Sequence, residues 1–369
     1  VARVLFVEPF YGGSHKAFLD GLATHSRHDF RLLTLPEGEW RRRMRRGAQE
    51  LAPLARELPN DFDCVIASDM LDLPAFLALT RPRFERTPVA VYFHENQMTY
   101  PRLKGTKFNS WFGQINFMSA LAADAVAFNS EYHREDFLAA LRSLEPQPNN
   151  WLLADGIRAV ETKSSVLPVG VELGWLEAIP ERRATNGPRT LLWNHRWEFD
   201  KAPELFVRAL QHARAQGWPF RLIVAGEPGD NPSDAILKLP EEFPEELVHF
   251  GYAESRQDYG RLLRQADIAV STTRHEFFGI GLVEAMAAGC VPLAPRRYNY
   301  PALVPPEHHT SLLWEDEAGL LERLGALLTG PLPARQQFVD AARRYSWAEV
   351  TPAWNHYIER LSRGEFATE

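Results

Sequence analysis

The chain has 369 residues, 45% hydrophobic and 24% charged, and a formal net charge of −7. That length exceeds what one hydrophobic core usually serves, so two domains are expected; no run of 18 apolar residues occurs, and VLFV is cut short by Glu8 and Pro9 too soon for a signal peptide or a span. Only Cys64 and Cys290 are present, each inside an apolar run, which argues against a disulfide framework and leads one to expect a soluble protein of a reducing compartment, the cytoplasm.

In the first half, ARVLFVE, DFRLLTL, FDCVIASD, PVAVYFH, DAVAFNS and SSVLPV read as strands, and segments such as AFLDGLATH and EDFLAAL between them carry helical periodicity. This alternation predicts a parallel sheet with crossover helices. The rhythm breaks at a linker rich in Pro, Gly and charge, residues 168–188, and restarts with RTLLWNH, FRLIVAG, VHFGY, ADIAVSTT and CVPLAP. The expected fold class is α/β, with two doubly wound, Rossmann-like domains: residues 1–172, then the linker and second domain at 173–345. A C-terminal helix and tail, 346–369, follow, with Ser346 placed as an N-cap. Charge is uneven: residues 1–172 hold 20 Lys and Arg against 21 Asp and Glu, and the remainder 21 against 27. A polyanionic partner should therefore meet the first half.

Ligands of open parallel sheets sit beyond the carboxyl ends of the strands, so residues just after a strand are the ones to weigh. In the turn YGGSHK, Gly12 and Gly13 let backbone approach a ligand closely, and Ser14 or the helix start can donate to phosphate, although neither G-x-G-x-x-G nor the P-loop pattern is met. The stretch EWRRRMRRG sets Arg41, Arg42, Arg43, Arg45 and Arg46 beside Trp40, a combination suited to phosphates and to stacking on an unpaired base. The plainer reading makes them the solvated side of an amphipathic helix, because Trp40, Met44, Ala48 and Leu51 recur at helical spacing. His94 ends a strand in YFHEN, where a lone histidine is either structural or a ligand contact.

In the second half, WNHRWEFDK places Arg196 and Lys201 after a strand, a fork and a point cation that suit a diphosphate; as surface cations they would simply contact Glu198 and Asp200. STTRHEFFGIGLVEA places Glu276 in the loop after a strand and Glu284 in the first two turns of the next helix, near its positive end. A first-turn carboxylate is stabilising by about 0.3–1 kcal/mol in its own right, but this leaves Glu276 unexplained. No metal site is expected. Asp61 and Asp63 form D-x-D but precede their strand, and His308 and His309 lack ligand-spaced partners.

Two glutamates eight positions apart followed by AMAAGC, the Arg…Lys pair, the first-turn Gly-Gly and a PVGVE hinge together resemble the retaining, family 4 nucleotide-sugar glycosyltransferases of the GT-B fold. FYGGSHK, LPEGEWRRR, YFHENQMTYP, FNSEYHRE, HRWEFDK and STTRHEFFG, spread along both domains, narrow the likeness to the tRNA-queuosine mannosyltransferase family. The resemblance implies two domains facing across a cleft, with the C-terminal helix crossing back to the first. It implies metal-independent transfer of mannose from GDP-mannose to the queuosine nucleoside of tRNA, with tRNA-Asp as the expected carrier. The nucleotide-sugar is then a substrate, and no cofactor is required. Glu284 would hold the ribose hydroxyls and Glu276 the C3 and C4 hydroxyls of the sugar. The amides of Phe278, Gly279 and Ile280 would stand beside sugar and diphosphate. Arg196 and Lys201 would neutralise the diphosphate with Gly13 closing over it, and His94 would touch the sugar near the reacting centre. Three other readings remain open: a family 4 enzyme with a small-molecule or lipid acceptor, a nicotinamide-dependent oxidoreductase with Glu37 after the second strand, and a tRNA-binding protein without catalysis. The missing G-x-G-x-x-G counts against the oxidoreductase.

Overall fold

The computed structural model describes residues 1–101, 110–144, 154–180, 187–229 and 232–366. Residues 181–186 of the expected linker and 367–369 of the expected tail lie outside the described residues. The chain divides into two compact units, one made of Val1–Gly170 with Trp347–Glu369, the other of Val171–Ser346.

The first unit is a six-stranded parallel sheet of β1 (Arg3–Tyr11), β2 (Asp29–Pro36), β3 (Cys64–Ser68), β4 (Val89–Phe93), β5 (Ala125–Phe128) and β6 (Ser164–Val166), in the order β2-β1-β3-β4-β5-β6. Every residue of β3, β4 and β5 is buried. Parallel sheets are covered on both faces by their crossover helices, which is why these strands read as unbroken apolar runs and not as alternating ones. The sheet order reverses between β1 and β3, so the ligand edge of this unit lies at the carboxyl ends of β1, β3 and β4.

Two helices pack against β1. The first, α1 (Gly13–His25), starts directly after that strand. The second, α2 (Trp40–Glu57), buries Met44, Gly47, Ala48, Leu51, Ala52 and Ala55. A Cβ at position 47 would lie 2.7 Å from Pro9 Cβ, so Gly47 is what lets α2 settle this close to β1. The helix Trp347–Ser362 also belongs to this unit. Its Trp347 ring fills the space that a Cβ at Gly21 or at Gly170 would need, and Trp354 Nε1 donates to the Pro168 carbonyl at 3.1 Å.

The second unit is also six-stranded and parallel: β7 (Arg189–Trp193), β8 (Phe220–Ala225), β9 (Leu247–Gly251), β10 (Ile268–Val270), β11 (Val291–Pro295) and β12 (Leu313–Trp314), in the order β12-β11-β10-β7-β8-β9. Here the order reverses between β7 and β10, and the crevice beyond their carboxyl ends is the expected ligand position. Each apolar run read as a strand forms one; β12, at two residues, is too short to carry a periodic signal. Among the described residues no helix is long and apolar enough to cross a membrane. Cys64 and Cys290 are both buried.

Candidate active site

The switch point of the second unit gathers the residues that follow β7 and β10. After β7 the chain runs through Asn194, His195 and Arg196 into a one-turn 3-10 helix, Phe199–Lys201. After β10 it runs through Thr272, Thr273 and His275 to Glu276. The loops are tied by backbone: Thr272 Oγ1 donates to the Lys201 carbonyl at 2.8 Å, while Thr273 Oγ1 and the Arg274 amide both donate to the Asp200 carbonyl, at 3.1 and 2.6 Å. Lys201 is thereby held with its ammonium between two carboxylates, Asp200 Oδ2 at 3.1 Å and Glu276 Oε2 at 3.4 Å. Burial works against its charge, but Glu276 and Asp200 more than offset it, and the Lys201 pKa lies above the ordinary lysine value. Burial, reinforced by the charge of Lys201, pushes His275 down to about 4 and His195 down to about 3, so both rings are neutral at pH 7. Arg196 is different: its side chain is 60% exposed, 3.3 Å from Glu198.

Beyond Glu276 the chain turns at Gly279, whose φ of +101° lies in the region that glycine alone adopts easily, and enters the helix Ile280–Ala287. A Cβ at Gly279 would also lie 2.9 Å from Leu303 Cδ1, so a larger residue here would have to displace that side chain as well as adopt the unfavourable φ. Asn299 Nδ2 fixes it by donating to the Phe278 carbonyl at 2.8 Å. Glu284, one turn into the helix, accepts from the Tyr259 hydroxyl at 3.1 Å; Asn194 Nδ2 donates onward to that hydroxyl at 2.9 Å and to the Gly281 carbonyl at 2.8 Å. Burial raises the Glu284 pKa, with Tyr259 and Arg256 acting in the opposite sense. The structure thus brings Lys201, Glu276, Phe278, Gly279, Ile280 and Glu284 onto one edge of one sheet, with Arg196 at its exposed margin.

The first unit carries a separate polar group at its own ligand edge. Glu8, inside β1, is fully buried; its Oε1 accepts from the Phe10 amide at 2.7 Å and its Oε2 meets His15 Nδ1 at 3.0 Å. The His15 ring lies against that of His94, with centroids 4.2 Å apart. Asp69, after β3, accepts from the His94 amide at 2.8 Å, and Asn129, after β5, donates to the His94 carbonyl at 2.8 Å. His94 Nε2 and Asp69 Oδ2 have no hydrogen-bond partner among the described residues. Burial acts against charge on His15, yet Glu8, helped by Asp69 and Glu95, raises it to about 9. Burial, the charge of His15 and His133 hold His94 well below the ordinary histidine value, so it is neutral. Glu8, His15 and His94 also have ligand atoms within 4.8 Å of one another, but Glu8 Oε2 and His15 Nδ1 already engage each other.

Because the folded His15 titrates above its ordinary value of 6.5, its ion pair contributes stability in full below that value and loses it as pH rises through about 9. The thermal midpoint of the protein should therefore fall between pH 7 and pH 10, and Glu8→Gln should flatten that fall. Parallel curves for the two proteins would contradict the pairing.

Gly12 and Gly13 occupy distinct environments. The Glu37 side chain lies where a Cβ at Gly12 would be, whereas Gly13, at φ +50°, faces open space. The arginines of α2 lie on its outer side: Arg41, Arg42, Arg45 and Arg46 are exposed, and Arg43 is half-buried. Arg43 pairs with Glu50 at 3.3 Å and Arg42 with the same carboxylate at 3.7 Å, while Arg41 covers the Trp40 ring at 4.5 Å. The D-x-D pair is structural: Asp61 is bonded to the Arg3 guanidinium, and Asp63 Oδ2 accepts from the Arg3 amide at 2.7 Å.

Residues 3–171 match the family model described as tRNA-queuosine alpha-mannosyltransferase N-terminal, and residues 177–345 the model of glycosyl transferases group 1. A tRNA-queuosine alpha-mannosyltransferase of Drosophila melanogaster is 33% identical over 370 residues, covering 95% of each chain. The chain belongs to the tRNA-queuosine alpha-mannosyltransferase family. It is a glycosyltransferase. A GDP-mannose:cellobiosyl-diphosphopolyprenol alpha-mannosyltransferase of Xanthomonas oryzae is 27% identical over 248 residues, 65% of this chain and 58% of that one. Among solved structures, a sucrose-phosphate synthase from Thermosynechococcus elongatus matches with a TM-score of 0.71 at 15% identity over the whole of both chains. A UDP-forming trehalose-phosphate synthase from Burkholderia xenovorans matches at 0.70 and 14%. At such identity these structures establish the fold, GT-B, and nothing finer.

Sequence reasoning named Asp200 only as a contact for a surface cation, and it passed over His275, Asn194 and Tyr259 in the second unit and Glu8, His15 and Asp69 in the first. Glu8 had a visible signal, a single carboxylate inside the apolar strand RVLFVEPFY. The others become site residues only through contacts between distant segments.

Proposed function

We propose that this protein transfers mannose from GDP-mannose to the queuosine nucleoside of tRNA, with tRNA-Asp the expected carrier, in the cytoplasm, with retention at the anomeric carbon and without a divalent metal. The observation that carries the reading is the Lys201–Glu276 contact at the second unit's switch point, in a chain that is related to a queuosine mannosyltransferase over nearly its whole length. A leaving nucleoside diphosphate gathers negative charge while the sugar becomes oxocarbenium-like. Groups that meet that charge more strongly in the transition state than in the ground state accelerate the step. Lys201 is the buried point charge for this task, Arg196 the exposed fork that can swing onto the diphosphate, and the amides of Phe278, Gly279 and Ile280 add the positive end of a helix. On donor binding Glu276 exchanges its contact with Lys201 for the sugar hydroxyls, which frees the ammonium for phosphate. Glu284, braced by Tyr259, takes the ribose hydroxyls. His94 is the first unit's proposed substrate contact, a neutral imidazole whose Nε2 has no hydrogen-bond partner among the described residues, and Gly13 offers backbone for a close approach.

Donor turnover should persist in excess chelator, because Lys201 and Arg196 supply the cations; full loss restored by Mg²⁺ or Mn²⁺ would overturn that part. Arg196→Ala should weaken donor binding and turnover together. The polyprenol-linked acceptor named for the Xanthomonas relative supports the alternative of a lipid acceptor, but that likeness covers about two thirds of the chain.

For the acceptor, α2 is the proposed tRNA contact, with Trp40, Arg41, Arg42, Arg43, Arg45 and Arg46 facing the phosphates. Glu50 engages Arg42 and Arg43, so Arg41, Arg45 and Arg46 are the cations least tied to a carboxylate. Replacing Arg41, Arg42 and Arg45 with Gln should weaken tRNA binding and flatten its salt dependence by about 2–3 in d log K/d log[salt], at ~0.7–0.9 per phosphate contact. Donor hydrolysis should be unchanged. Unaltered affinity at low and moderate salt would return these arginines to the solvated face of an amphipathic helix.

A further inference from the structure

The helix Ser110–Ala122, SWFGQINFMSALA, holds no charged residue in 13 positions. Most of it is buried, including Phe112, Gly113, Ile115, Asn116, Phe117, Ser119 and Ala120. Yet the stripe it turns to solvent is uncharged too, with Trp111 41% and Met118 45% exposed, two turns apart on one side, and half-buried Gln114 between them. Two large exposed apolar residues on one uncharged side are an interaction signal where a solvated helix face would carry charge.

What covers this stripe is indicated by its neighbour. The Arg45 guanidinium of α2 lies 5.5 Å from the Trp111 ring centroid and 5.2 Å from that of Phe112, and Phe112 packs on Trp40 with centroids 5.1 Å apart. Arg41 in turn covers Trp40. Cations and aromatic rings therefore adjoin in one chain of contacts: Arg41 on Trp40, Trp40 on the buried Phe112, and Arg45 on both Phe112 and Trp111. Charge complementarity selects the occupant: a polyanion whose backbone meets the arginines and whose bases, unpaired and unstacked, present π-faces to an indole. We propose that Trp111 is a stacking platform for an unpaired nucleotide of the tRNA acceptor, beside the arginine face of α2. This rests on the reading of tRNA as acceptor and adds a second helix and a sequence-tolerant contact to it.

Stacking releases no counterions, so it is separable from phosphate contact. Trp111→Ala should weaken tRNA binding roughly 5- to 150-fold, at about 1–3 kcal/mol per stacked base, at every salt concentration tested, with the salt slope unchanged. Trp111→Phe should keep most of the affinity, and GDP-mannose hydrolysis should be unaffected in both. The result that overturns the inference is wild-type-like tRNA affinity in Trp111→Ala. If wild-type protein binds no tRNA, the acceptor reading itself fails. If Trp111→Ala loses binding to phosphatidylserine vesicles while tRNA affinity holds, the stripe serves a lipid surface and the inference is overturned in favour of that partner.

Discussion

Lys201→Met should lower the rate of mannosyl transfer by about 10²–10³-fold, the usual consequence of deleting one preorganised donor from the charge that develops in a transition state. Methionine keeps the length and apolar stem and removes only the ammonium. The effect should appear in single-turnover rates at saturating donor, because the ammonium acts on charge that grows during bond cleavage. The same substitution leaves Asp200 and Glu276 without the cation between them, so a lower thermal midpoint for the protein should accompany the loss. Lys201→Arg separates the two effects: it preserves a charge, and with it stability, but its wider planar head changes the geometry toward phosphate. Transfer in Lys201→Met within about threefold of wild type would remove Lys201 from the reaction.

Glu276→Ala should cost about 1.5–3 kcal/mol of transition-state binding, the range for hydrogen bonds to a charged group, or roughly 10–150-fold in kcat/KM at subsaturating donor. Glu276 supports the fold through few contacts, Lys201 at 3.4 Å and the Phe278 amide at 3.5 Å, so the variant should remain folded with Lys201 still paired to Asp200. Glu276→Gln keeps an acceptor oxygen and should recover part of the loss. Wild-type turnover in Glu276→Ala would mean that the carboxylate serves only to hold Lys201.

Much of this site was legible because two physical regularities act locally. A parallel strand buried on both faces must be apolar along its length, which made β3, β4, β7 and β8 visible, and ligands of such sheets gather beyond the strands' carboxyl ends, which singled out Lys201, Glu276 and Glu284. What was not legible depends on tertiary contact. Asp200 sits next to Lys201 in sequence, but only the carbonyl tethers from Thr273 and Arg274 show that its loop is fixed against the segment carrying Glu276. His94 was singled out by its position, while the group around it comes from β1, α1 and the ends of β3 and β5, four segments with no common spacing. The arginine helix shows the remaining ambiguity of pattern reading: the spacing of Trp40, Met44, Ala48 and Leu51 gave a helix with a buried side, and Trp111, 71 positions from Trp40, could join that helix's aromatic strip only in the folded unit.

The reaction itself is open to one direct assay. Purified protein would be incubated with queuosine-containing tRNA and, in parallel, GDP-mannose or UDP-sugars, the tRNA digested, and its nucleosides resolved by mass. The expected result is a queuosine nucleoside enlarged by one hexosyl group in the GDP-mannose reaction, absent with tRNA that lacks queuosine and absent with the Lys201→Met protein. Donor consumption that leaves queuosine unmodified, or hexosylation that proceeds from a UDP-sugar and not from GDP-mannose, would contradict the account.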